Sequence, residues 1–374
     1  ALDWIGQVPG KRESRRIEGR YMMTENDIQK FERFDDEVAF GGWFLDLHTP
    51  GGLLAEHSEA NSKESYNPYS ERVVSSYVGP YGIPLRSLIA RDLDNLLLAG
   101  RDVSVSHSAF GSTRVMGTCA LMGQAVGTAA ALSLDRGVSP HQADGALVDR
   151  LKQQLLRDGC FLLNTKNEDP TDLAREATVT ASSDAPFHGA GPTSPAFHDG
   201  LDIWWDQYNP VITERLDSLR GQIVAVGADT IDRVAVLLTN ESSEAEEVEV
   251  TLRELRHIWD YNVESGEELF RTTITLPGDS SGWHWIETPL DVSQLHRERR
   301  LLRLDLSANA NIIWHKSSRI EPGLVSMFEL TKGKMRTYEQ GVTMSVRLEP
   351  AQRCYQPENV INGWTRPYGY TNLW

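Results

Sequence analysis

Hydrophobic and polar positions change their spacing twice along this 374-residue chain. A short apolar run, Leu96-Leu97-Leu98-Ala99, is closed by Gly100. It predicts a strand buried on both faces and ended by a tight turn. About a dozen polar, Ser- and Gly-rich positions follow and predict a loop. Residues 115–134 are then apolar, with Gly117, Ala120, Gly123, Gly127 and Ala130 recurring every three or four positions. That spacing predicts a helix carrying one stripe of small side chains, against which another backbone or a flat ligand packs closely. Spacing alone leaves open whether the stripe is a packed core face or a cofactor face.

Flanking signals extend this picture. Thr24 with Asp27 predicts a capped helix start. Residues 51–68 are polar and rich in breakers, which predicts a surface loop able to act as a lid. Ser139-Pro140 predicts a further helix, with an apolar stripe of Leu147, Val148, Leu151, Leu155 and Leu156 and a stop at Gly159. After the polar linker 164–171 the period drops to two. Runs at 222–226, 233–238, 247–253, 272–276, 283–286 and 301–306 predict short antiparallel strands stacked as a β-sandwich. Six of the ten tryptophans lie between Trp204 and Trp314; they are read as core rather than as a sugar-stacking face. A second linker, 329–341, precedes a last unit. The domains predicted are therefore 1–165, 175–328 and an incomplete 342–374.

Charge and cysteines narrow the function. The net charge of −16 repels nucleic acid phosphates and anionic membranes. The 115–134 segment is about long enough to span a bilayer, but its glycines, Gln124 and the adjoining Arg114 argue against a transmembrane segment. Cys119, Cys160 and Cys354 are too scattered for a disulfide framework or a metal site, and Cys119 is read as an inert buried thiol. The ten histidines show no HxH or HExxH spacing, and no hydrolase triad is visible. Ala1 is not an initiating Met and no GxGxxG follows an early strand, so the chain reads as an internal piece of a longer protein.

The runs LLLAGRDVSVSH and GSTRVMGTCALMGQAVGTAAA, preceded in order by PGKRESRRIEGRY, AFGGWFLDLH and IPLRSLI, resemble a family of FAD-dependent oxidoreductases. The resemblance covers about the first 160 residues. It implies an α/β fold, the C-terminal part of a glutathione-reductase-like domain, with FAD as cofactor and the following all-β part appended. That later part resembles galactose-binding-like jelly rolls, and its last segment (Pro357 to Gly363, Thr365 to Tyr368) resembles the opening of discoidin-like domains.

From this resemblance Gly100, Arg101 and Asp102 are expected near the ribityl and pyrophosphate groups. Gly111, Ser112, Thr113 and Arg114 are expected to present N–H groups and a guanidinium to reduced flavin. His107 is the candidate general base or substrate ligand. Arg86, and Asp46 with His48, are candidates for the substrate side, where a buried Arg would suit a carboxylate or polyhydroxy substrate. Glu13, Arg15 and Arg16 stand in the RESRR motif. Leu85 replaces the aromatic that the family commonly has before that Arg, which puts substrate preference in question.

The activity expected of the parent protein is hydride transfer between flavin and a small organic substrate such as a sugar derivative, with this piece inactive by itself. The alternative from another class is a carbohydrate- or surface-binding β-sandwich on a degenerate flavoenzyme scaffold, marked by three exposed aromatics in a row. Appended lectin-like sandwiches lean towards a periplasmic or secreted location.

Overall fold

In the computed structural model of the chain, the described residues are 15–30, 32–47, 78, 80–183, 186–192, 213–255, 263, 264, 266–293, 295, 301–317, 324–337, 343–353, 357, 361 and 363. They divide into two units, Ala1–Leu173 and Ala174–Trp374. His48, Glu13, Cys354, the lid-like stretch 51–68 and most of the discoidin-like motif lie outside the described residues.

Unit 1 mixes helices with short strands. Helix α1 (Glu25–Gln29) starts where expected: the Asp27 carboxylate accepts from the Thr24 N–H at 2.7 Å and its hydroxyl at 3.1 Å. Strands β1 (Glu37–Gly41) and β2 (Tyr81–Pro84) form an antiparallel pair. The run 96–99 is not a regular strand. It makes one bridge, Leu97 with Ile89, flanked by Ala90 N–H to Leu96 O and Leu98 N–H to Leu88 O. The partner stretch 88–90 bonds residues 18–20 along its other edge (Arg20 N–H to Ile89 O, Arg91 N–H to Glu18 O).

The polar stretch after Gly100 is not all loop either. Helix α2 (His107–Thr113) forms within it, and its Ser106 N-cap oxygen accepts from the Ala109 N–H. Helix α3 (Met116–Arg136) follows after two residues and ends on Gly137, left-handed at φ 67°. Its buried positions are Thr118, Met122, Ala125, Ala129, Leu132 and Ser133, spaced three to four apart. The small-residue stripe faces the other way. Gly117, Ala120, Gly123 and Gly127 are exposed, and a methyl built on any of the three glycines meets nothing within 4 Å. By length and composition α3 also passes as a membrane span, with a mean hydropathy of 1.2. Ser139-Pro140 opens only a 3-10 turn, and helix α4 (Gly145–Arg157) begins later on the Asp144 N-cap. Leu147, Val148, Leu151 and Leu155 of α4 join α3 and β1 in one apolar core.

Unit 2 is β-rich. One six-stranded antiparallel sheet has the order β13-β12-β5-β10-β7-β8. Its strands are β5 (Arg220–Ala225), β7 (Glu246–Leu255), β8 (Glu268–Leu276), β10 (Leu301–Leu306), β12 (Val325–Thr331) and β13 (Lys334–Thr337). The other sheet contains β3 (Phe187–Ala190), β4 (Thr213–Leu216), β6 (Thr230–Asn240), β9 (Ser280–Asp291), β11 (Asn309–His315) and β14 (Val346–Gln352). β6 pairs with β9 along one edge, while β14 and then β11 share the other. All six expected runs lie in or across strands. Alternate residues such as Val234, Val236 and Leu238 of β6 and Leu302, Leu304 and Leu306 of β10 form a single apolar cluster. The Trp314 indole is fully buried there and donates to Ser345 O at 2.9 Å.

The described part of the expected linker, residues 329–337, lies in β12, β13 and the turn between them. β12 pairs with β5 and β13, and β14 lies between β3 and β6, so residues to at least 352 complete the two sheets rather than open a new unit. The pattern misled because β13 is only four residues long with two charges, and it follows β12 through a turn that contains Gly333.

Candidate active site

Helix α2 is the part of unit 1 on which distant motifs meet. The Arg16 guanidinium lies 5.4 Å from the Phe110 ring centroid, and the Ile17 N–H donates to Asp102 O at 3.0 Å. Met23 brackets the entry to the helix: its N–H donates to Ser104 O, and its carbonyl accepts from Ser106. At the other end, Ser112 donates to the Trp43 carbonyl oxygen. Arg114, the C-cap residue, donates to Asp46 twice, to the carbonyl at 2.8 Å and to the carboxylate at 3.0 Å. A methyl built on Gly111 would stand 2.9 Å from the Asp46 carbonyl oxygen. Glycine is required there because two backbones touch. Arg16, at the end of RESRR, and the GGWFLD, GRD and GSTR motifs are thus one neighbourhood.

Several expected roles change with this geometry. Gly111, Ser112 and Thr113 form the last turn of α2, so their N–H groups are spent on carbonyls four residues back. The N–H groups left over belong to Met116, Gly117 and Thr118, ahead of the first α3 bond, Cys119 N–H to Val115 O. Arg114 is tied to Asp46 with its side chain 12% exposed. It holds a loop rather than offering itself to an anion.

His107 is exposed at the opposite end of α2 from Arg114. Arg86 is exposed rather than buried. It pairs with Asp36 at 3.4 Å and lies over the Tyr21 and Phe34 rings at 4.9 and 5.5 Å. Tyr21, partly buried and bonded to Asp27, has its pKa pushed up to about 12. A cleft of about 640 Å³ opens there, lined by Arg20, Asp36, Arg86, Asp144 and Val148 among others, and it includes no residue of α2. Arg86 therefore does not join the Asp46–Arg114 group.

The residues around the α2–α3 junction fit the cofactor that the motif resemblance implies. Gly100 has a φ of 95°, and a methyl built on it would stand 3.9 Å from the Cys119 side chain of α3. The Cys119 thiol approaches Thr113 O at 3.8 Å; burial raises its pKa, and Arg101 partly opposes that, in keeping with an unreactive thiol. Asp102 Oδ1 and Thr113 Oγ1 are buried without a hydrogen-bond partner among the described residues. Buried polar atoms of this kind call for a ligand or water. The α3 N-terminus has no side-chain cap and is followed by the open Gly117. Together these are acceptors and donors for hydroxyl and carbonyl groups beside a surface that admits a flat ring.

Residues 1–155 match the model of the FAD dependent oxidoreductase family. That match makes FAD the cofactor and flavin-linked oxidoreduction the class of chemistry for this part of the chain. No curated protein matches the chain. Among the described residues no group of His, Cys, Asp and Glu is arranged to hold a metal ion.

In unit 2, the tryptophans do not form a free platform among the described residues. Arg347 lies 4.0 Å from the Trp283 ring centroid and Arg233 4.4 Å from that of Trp285. Trp285, 37% exposed, is the exposed large hydrophobic of this unit among the described residues. The guanidinium groups occupy ring faces that a sugar would need.

Proposed function

We propose that unit 1 forms the substrate-facing side of a flavin enzyme that transfers a hydride between FAD and a small hydroxylated organic molecule. The observation that carries this reading is the meeting of four separate stretches, around residues 16, 43–46, 100–102 and 111–114, at the α2–α3 junction. Gly100, Asp102, Thr113 and the first turn of α3 are the groups that would hold the cofactor. When bound, FAD would supply two-electron redox chemistry, and the proton of the substrate hydroxyl would pass between that hydroxyl and the Asp46 carboxylate. Otherwise the chain's own contribution is positional. Arg114 fixes the Asp46 carboxylate, and Asp46 accepts a hydrogen bond from the substrate hydroxyl, aligning the C–H to be broken.

The test titrates FAD and FMN into the purified chain and follows flavin fluorescence, with absorbance scanned from about 300 to 550 nm before and after dithionite. Saturable quenching, bands that bleach on reduction, and several-fold weaker binding in Asp102→Asn are expected. Absence of any spectral change with either flavin would sink the reading.

A further inference from the structure

We propose that Trp43 is a stacking platform for a neutral pyranose ring, set in place by a buried Tyr81–Ser112 clamp. This names the substrate class for the site above and rests on reading the α2 end as its substrate side.

Trp43 is 46% exposed, whereas large aromatics ordinarily bury their rings. One face of the indole is stacked on Phe44, with centroids 4.7 Å apart and planes 30° from parallel. The backbone beneath is fixed from inside the core. Ser112, fully buried, gives its single proton to the Trp43 carbonyl. The Tyr81 hydroxyl, 2.6 Å from Ser112 Oγ, must therefore be the donor into that oxygen. Tyr81 is 2% exposed and burial raises its pKa, so the phenol keeps the proton the relay needs. Gly41 makes the arrangement possible: a methyl built there would stand 2.4 Å from the Tyr81 oxygen.

Two tight turns, Asp46 N–H to Phe44 O at 2.8 Å and Leu47 N–H to Leu45 O at 3.1 Å, keep the 43–47 segment compact. The Asp46 carboxylate, 29% exposed and held by Arg114, therefore stands three residues from the indole. An exposed aromatic ring and a fixed carboxylate carried on one short segment suit a ligand with an apolar C–H face and hydroxyl donors. An anionic substrate is disfavoured, because Asp46 repels it and the Arg114 charge is already engaged.

The experiment measures saturation-transfer NMR of methyl β-D-glucopyranoside and methyl β-D-galactopyranoside on the full chain, with benzoate as the anionic aromatic control. Saturable binding of at least one glycoside is expected. It should fall at least ten-fold in Trp43→Ala, recover in part in Trp43→Phe, and weaken several-fold in Tyr81→Phe. Wild-type chain carrying 5-fluorotryptophan gives a second readout free of any folding defect, since the Trp43 resonance, assigned by its loss in Trp43→Phe, should move on glycoside addition.

The idea is overturned if neither glycoside binds, if Trp43→Ala binds equally well, if benzoate binds in preference, or if the Trp43 resonance stays still. Flavin titration of the same samples separates the two readings. Flavin binding without glycoside binding defeats the pyranose platform alone, and glycoside binding without flavin binding defeats the flavin reading alone.

Discussion

The Arg114 guanidinium donates to both the carbonyl and the carboxylate of Asp46, 68 positions away in sequence. A charged donor in a partly buried pair of this kind contributes about 1.5–3 kcal/mol. Arg114→Ala should lower the unfolding free energy by about that amount, read as a shift in urea midpoint with unchanged slope. Asp46→Asn should cost less, because the carbonyl contact survives. Equal effects from the two variants would mean that the backbone bond is not the anchor.

Gly111 and Gly123 make opposite predictions for the same substitution. Both are helical, where alanine is ordinarily better than glycine by about 1 kcal/mol. At Gly123 a methyl enters open space, so Gly123→Ala should raise the melting temperature by a few degrees. At Gly111 it meets the Asp46 backbone at 2.9–3.1 Å. Gly111→Ala should destabilise by about 1–3 kcal/mol through overpacking. Thermal melts of the two variants decide this, and a stabilised Gly111→Ala would show that the 43–47 segment yields.

On β10, Arg303 and Asp305 are buried together, with bonds of 2.7 and 3.0 Å and side chains 0% and 2% exposed. Burial raises the Asp305 pKa, and the Arg303 charge opposes it. Asp305→Ala leaves a buried guanidinium without its carboxylate and should cost about 3–5 kcal/mol. Replacing both with Met and Leu should be close to neutral by the same reasoning. Chemical denaturation of the single and double variants tests it: a double variant as unstable as the single one would assign the loss to shape rather than charge.

His284 and His315 both have pKa values lowered from 6.5 by burial. The folded form disfavours the imidazolium, so the unfolded chain takes up protons first as pH falls through about 6.5. Their share of stability is thus full above that pH and is lost below it. His284 Nε2 is buried with no partner among the described residues, whereas His315 Nε2 lies 2.8 Å from Thr239 Oγ1. Denaturation midpoints of unit 2 should fall between about pH 7.5 and pH 5, and His284→Leu should flatten that fall. An unchanged slope in His284→Leu would remove the residue from the account.

The sequence by itself determined the helices and strands whose burial repeats locally. The small-residue spacing of Gly117, Ala120, Gly123 and Gly127 marks α3 as a helix although it is not the buried face, Leu147, Leu151 and Leu155 mark α4, and the period-two runs mark six strands, because a regular element imposes its spacing on neighbours in sequence. The ordered motifs also pointed to the family whose model matches residues 1–155. Tertiary structure alone decided the rest. Helix α2 is only seven residues long, too short for periodicity to register, and it is fixed by contacts with residues 16, 43 and 46. Tyr81 and Ser112 read as an ordinary aromatic and serine until 31 positions of chain are closed to 2.6 Å. Which face of α3 is covered, and that β14 belongs between β3 and β6, depend on partners far along the chain. Local pattern states that a face is to be buried, but only the fold supplies what buries it.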